Sequence, residues 1–164
     1  MSKKLEKNGL WESSRMMLPQ HKEAFQNRFQ KQALQPVHPT AEEIHMMKDY
    51  VLLPIMHAII VKKAREAEQS SEMLRLLYSK AAQLLAKNVH DDLTQLKKGL
   101  TEKSIRVFEE EKNHQEARYR YICREYEDHF TITRDYMRAE ISIRIGRYVD
   151  GLVAIITSAG RTKG

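Results

Sequence analysis

The chain has 164 residues, of which 41% are hydrophobic and 30% charged, and it carries a formal net charge of +6. This is the composition of one globular domain with an appendage, and it excludes a disordered or fibrous chain. Cys123 is the single cysteine, which excludes a disulfide framework. The most apolar window, Val51 to Val61, has 11 residues against the roughly 20 of a spanning helix, so a cytoplasmic protein without a membrane segment is expected.

The basic excess sits at the start. Residues 1–40 hold 7 Lys/Arg against 3 Asp/Glu, whereas residues 41–100 and 101–164 are nearly balanced. Residues 1–9 show no periodicity. Pro19 stands where a first helical turn tolerates proline, and His21, Phe25, Phe29 and Ala33 continue a stripe, so a short amphipathic helix is expected over 19–34. "QPVHPT" ends it, because Pro36 and Pro39 hold the residues before them extended. The expected organisation is therefore a basic arm with a short helix over 1–39 and a helical domain over 40–158.

Thr40 and Glu43 have the Thr-x-x-Glu spacing of a capping box. The helix that follows, expected to reach about Ala67, lines up Ile44, Met47, Val51, Ile55, Ala58 and Ile59, widened by Leu52, Leu53, Met56 and Ile60. A helix apolar over most of its circumference belongs in the middle of a fold. Pro54 inside it is expected to kink or break the run. "EQSSE" reads as a turn in which Ser70 or Ser71 caps a further helix. Its stripe runs from Leu74 through Tyr78, Leu85, Val89 and Leu93 to Leu100, with "NVHDD" a dividing point near Asn88 and Gly99 a C-terminal cap.

Residues 104–123 change period. Folded about Asn113-His114, this stretch sets Glu109 against Arg118, Phe108 against Tyr119 and Ile105 against Ile122, the pairs that a β-hairpin needs. The competing reading is a helix, since Ile105, Phe108, Tyr119, Ile122 and Tyr126 also fit a 3-4 spacing, but it leaves Lys112 and Gln115 on the stripe. A long C-terminal helix is expected over 128–157, marked by Phe130, Met137, Ile141, Ile145, Tyr148, Leu152 and Ile155. The fold class is thus mainly α, a small helical domain with one hairpin at about 104–123 and a long last helix.

No reaction is specified by these residues. The seven histidines show no His-x-x-x-His spacing, and His57 reads as a hydrogen-bonded core residue, so no metal is expected. No nucleophile motif and no Gly-rich phosphate loop occurs, so neither catalytic residues nor a cofactor are expected. Glu109, Glu110 and Glu111 are expected along an exposed strand beside Arg118 and Arg120. Helices, a hairpin and a long last helix also form the element order of winged-helix regulators that dimerise through that helix. In that alternative Arg118, Arg120 and Arg124 with Tyr119 and Tyr121 form a basic, aromatic wing for nucleic acid. Against it, "NVHDDLTQLKKG" opens with two aspartates where phosphate would lie.

"LWESSRMMLPQHKEAF…QPVHPTAEEI", residues 10–44, resembles the N-terminal signature of YolD-like proteins of spore-forming Gram-positive bacteria and their phages. The resemblance implies an accessory factor in DNA-damage or mobile-element biology. "DYVLLPIM…YRYICREYEDHFTITRDYMRAEISIRIGRYV", within residues 49–149, is similar to the uncharacterised YhjD-like proteins, a likeness that supports the hairpin and implies no activity. Trp11, Met16, Met17 and Leu18 then read as a partner-docking peptide, since Met adapts to a contact and Trp anchors one. The alternative is that this arm packs back on its own domain. The expected function is a non-enzymatic interaction or regulatory protein with a protein partner, or a homodimer through 128–157.

Overall fold

A computed structural model describes residues 37–161, in the order α1 (Ala41–Gln69), α2 (Arg75–Glu102), β1 (Ile105–Lys112), β2 (Glu116–Cys123), β3 (Tyr126–Thr133) and α3 (Arg134–Arg161). The helix expected over 19–34 lies outside the described residues. The described part is mainly helical with one small antiparallel sheet and a long C-terminal helix.

The expected capping box starts α1. The Thr40 hydroxyl accepts from the Glu43 amide at 3.2 Å, and the Glu43 carboxylate accepts from the Thr40 amide at 2.9 Å. Pro54 does not break the helix, which runs through it to Gln69. The ring faces solvent, so the bond lost at the Tyr50 carbonyl falls on the wet side. The buried line is Leu52, Met56, Ile60 and Ala64 with Met47, Val51 and Leu53 beside it, whereas Ala58 and Ile59 are exposed. The inward face is therefore rotated from the expected one. α1 is long and apolar enough to cross a bilayer by length and composition, contrary to the reading of its short apolar window, but a third of that span is buried in this fold.

Neither Ser70 nor Ser71 caps α2. Ser70 closes α1, its hydroxyl accepts from the Glu72 amide at 3.3 Å, and α2 starts after Leu74 without a side-chain cap. α2 passes undivided through Asn88. Gly99 is not its cap but sits inside its last turns, where an added Cβ would lie 3.1 Å from the Met46 methyl of α1. The chain reverses instead at Ser104, with φ 56.

The expected hairpin is present, one residue out of the expected register. Phe108 faces Arg120, Glu109 faces Tyr119 and Ile105 faces Cys123, and a bulge at Glu110 then sets Glu111 against Arg118. The turn is tied by the Asn113 side chain, whose Oδ1 accepts from the amides of Gln115 and Glu116 at 2.8 Å each. A third strand, unexpected from the sequence, follows a two-residue turn at Arg124-Glu125, so Phe130 belongs to β3 and the last helix begins at Arg134 rather than Asp128. Thr133 caps it by accepting from the Tyr136 amide at 3.3 Å.

β2 alternates cleanly, burying Ala117, Tyr119, Tyr121 and Cys123. That face joins Met47 and Val51 of α1, Leu100 of α2 and Ile132 of β3. A third cluster lies among the helices, where Leu52, Leu53 and Met56 meet Leu85, Val89 and Leu93, with Ile141 of α3 on top. α1 runs through all three clusters, which explains its broad apolar surface.

Candidate functional site

The expected nucleic-acid residues do not share a face. Tyr119 and Tyr121 point inward, and Tyr119 stacks on Phe130 with centroids 5.5 Å apart. Arg118 and Arg120 point outward and meet Glu110 at 3.7 and 3.5 Å, while His129 reaches the same carboxylate at 3.2 Å. The bulge turns Glu110 into the hub of this outer face. Arg120 also pairs with Glu127 at 3.0 Å and lies 5.1 Å over the Phe108 ring. Period-2 alternation forces this separation, because 118 and 120 must face opposite to 119 and 121.

Arg124 goes elsewhere. Its guanidinium donates to both oxygens of Glu43 at 3.0 Å and to the His38 carbonyl at 3.1 Å. Glu43 is 6% exposed, and the bond from Arg124 holds its carboxyl below the usual range despite burial. This pair ties the β2–β3 turn to the start of α1. It is a structural clasp, with both arms of the guanidinium engaged.

A cleft of about 750 Å³ opens between α1, α2 and α3. Arg144 of α3 meets Asp49 of α1 at 2.5 Å and Glu140 at 3.4 Å, and His45 stands 3.7 Å from Asp49. Asp49 Oδ1 is buried without a well-aligned hydrogen bond, so its contact with Arg144 is chiefly one of charge. One turn on, the Tyr148 hydroxyl donates to Asp92 of α2. Burial, and then that bond, push the phenol up from its usual 10.0, so Tyr148 stays protonated and acts as a donor rather than a base. These groups fix helix positions and leave no base poised beside a nucleophile. Cys123 is fully buried and its thiol is likewise pushed up by burial. Among the described residues no three His, Cys, Asp or Glu side chains gather as a metal would require. His57 is half-buried and faces the His90 ring at 5.9 Å.

Beyond the cleft the helices lose their cover. Leu74 and Tyr78, expected on the buried stripe of α2, are exposed, as are Leu77 at 60% and Met73 at 98%. On α3 only Ile141 is buried, while Val153, Ile155 and Ile156 are more than half exposed. Contacts along α3 step from Asp49 (Arg144) to Asp92 (Tyr148), and Ile155 lines the cleft with Asn88. α3 therefore climbs α2 toward its N-terminus, and both bare apolar faces lie at the same end of the fold. The sequence stripes mark Leu74, Tyr78 and Ile155 as core; what they could not show is that the core stops short of them. The candidate docking residues Trp11, Met16, Met17 and Leu18 lie outside the described residues.

The YhjD family, described as YhjD protein, matches residues 38–153. No curated protein and no solved structure matches the chain.

Proposed function

The chain belongs to the YhjD family, and on that premise we propose that it is a non-enzymatic interaction protein whose working surface is the bare apolar end of α2 and α3. The observation that carries this reading is the exposure of Leu74, Leu77 and Leu84 on α2 together with Val153, Ile155 and Ile156 on α3. Contiguous apolar surface of more than a few hundred Å² marks an interaction site on an otherwise soluble fold. The cleft supports the reading, because its ion pairs hold α3 in place and its one strongly shifted group is locked as a donor.

The resemblance of residues 10–44 to the YolD-like signature adds a second element. Trp11, Met16, Met17 and Leu18 form a short docking peptide ahead of the domain, in an accessory factor of DNA-damage or mobile-element biology that works in the cytoplasm. Nucleic-acid binding is the weaker reading, since Arg118, Arg120 and Arg124 are each paired with a carboxylate.

A photoreactive side chain placed at Leu77 in the native host tests the proposal. It is expected to cross-link to one partner, and Ile156→Glu is expected to abolish that product. Equal cross-linking from Lys62, on the charged surface of α1, would overturn it. Steeply salt-dependent retention on DNA would favour the nucleic-acid reading instead.

A further inference from the structure

The cleft between the three helices holds one charge of each sign that no charged side chain answers among the described residues. α2 presents Asn88, Asp92 and Gln95 to it, spaced 4-3, and α3 presents Arg144, Tyr148 and Gly151 at the same spacing, so one face of each helix forms a wall. Asp49 and Arg144 answer each other across the cleft. Asp92 takes only the hydrogen bond from the Tyr148 hydroxyl. Arg147 also lines the cleft and has neither a side-chain hydrogen bond nor an ion pair among the described residues. The same holds for the side-chain amides of Asn88 and Gln95. Beside these polar groups the lining is apolar, where Leu53, Leu96 and Leu152 continue the cluster among the helices.

From this arrangement we infer that the cleft binds a small zwitterion with an apolar body, an amino acid or a short peptide with free ends. Its carboxylate meets Arg147, its ammonium meets Asp92, and its side chains lie on Leu53, Leu96 and Leu152. Three observations point to that chemistry. The first is sign. A bare anion would face the Asp92 carboxylate and a bare cation the Arg147 guanidinium, and like charges set together repel, so a ligand of both signs leaves neither group unanswered. The guanidinium fork also matches a carboxylate in shape. The second is size. The volume of about 750 Å³ lies within the ~300–1,000 Å³ of small-molecule sites, which combine apolar walls with a few polar groups. The third is Gly151. Glycine is unfavourable inside a helix, and an added Cβ there would meet nothing within 4 Å, so packing in the single chain does not require it. On the cleft wall its bare backbone leaves room for the ligand. Asn88 and Gln95 stand four residues before and three after Asp92, and their free amides suit the peptide group of a dipeptide.

Isothermal titration of the full chain with leucine and with leucyl-leucine tests the inference. Saturable binding of one molecule per chain is expected, and tighter binding of leucyl-leucine than of leucine assigns the peptide, the reverse order the amino acid. N-acetyl-leucyl-leucine lacks the ammonium and leucyl-leucinamide lacks the carboxylate; each is expected to bind at least about tenfold more weakly. Glycylglycine, which lacks the apolar body, is expected not to bind. Arg147→Met is expected to weaken leucyl-leucine but not leucyl-leucinamide, and Asp92→Asn to weaken leucyl-leucine but not the N-acetyl form, a pattern that a merely structural effect would not give. Both side chains are exposed, so the variants are expected to keep their helical signal. Should Asp92→Asn lose it, Arg147→Met and the blocked peptides carry the same test. Gly151→Leu fills the cleft and is expected to abolish binding without lowering the melting temperature. No saturable binding of leucine or leucyl-leucine up to about 10 mM would overturn the inference. Blocked peptides that bind as tightly as the free one, or a Gly151→Leu protein with wild-type affinity, would overturn it too.

Discussion

Arg124 and Glu43 are 81 residues apart in sequence, and two hydrogen bonds of 3.0 Å join them at the junction of helix and sheet. The guanidinium comes from a turn residue with φ 59, a conformation that costs a side-chain-bearing residue free energy. The positive φ at the first of two turn residues is normally met by glycine. Here the pairing with Glu43 offsets that strain.

Arg124→Met is therefore expected to destabilise the fold by about 3 kcal/mol, because it leaves the Glu43 carboxylate buried and unpaired. Denaturant unfolding measures this; a midpoint equal to wild type would show that the clasp is dispensable. The pH dependence has a definite sign. The folded carboxyl of Glu43 lies below its usual 4.5, so its contribution is fully present above that value and is lost as the pH falls through the lowered one. In Arg124→Met that part of the acid limb is expected to vanish.

Tyr148 sets the opposite limb. Its folded pKa lies above the usual 10.0, so its contribution is intact below pH 10 and is lost as the pH rises further. Tyr148→Phe is expected to cost about 1 kcal/mol at neutral pH through the lost bond to Asp92, and to flatten the alkaline fall in stability. An unchanged alkaline profile would mean that Tyr119 and Tyr121, whose phenols burial also raises, account for it instead.

Pro54 and Leu53 are neighbours with opposite expected effects. Pro54→Ala restores a donor to an unbroken, solvent-facing turn and is expected to stabilise by about 1 kcal/mol or more. Leu53 is 7% exposed, and Leu53→Asp places an unpaired charge in the helical core. That variant is expected to be unfolded by circular dichroism. A Leu53→Asp protein that melts like wild type would remove α1 from the core.

Structure is legible in the sequence where local chemistry decides. The Thr40–Glu43 box and the existence of the β1–β2 hairpin depend on residues three to twenty apart, and the side chains state them openly. The register failed because the Asn113 side chain builds the turn one residue later than simple folding about Asn113-His114 implies, and because the Glu110 bulge leaves no mark in a run of three glutamates. β3 leaves only a partial signal, in Tyr126, Phe130 and Ile132, because Asp128 breaks their alternation with polar residues. The turn before it has no Gly or Asn, and Phe130 fits the helical stripe of α3 by accident of spacing. What makes Arg124 a turn residue is Glu43, on a distant element. The cleft was invisible for the same reason: Asp49, Asp92, Arg144 and Tyr148 come from three helices and acquire meaning only when α3 lies across the other two.

On the proposed function, the apolar end of α2 and α3 is covered when the protein works. Cys123 is fully buried, so one introduced thiol can report a chosen position. Thiol-labelling rates for Ile156→Cys and Lys62→Cys, compared between highly diluted purified protein and the intact native host, measure that cover directly. Position 156 is expected to label as fast as position 62 when dilute and many-fold more slowly in the host, where position 62 stays fast. Equal rates at the two positions in both settings would contradict it.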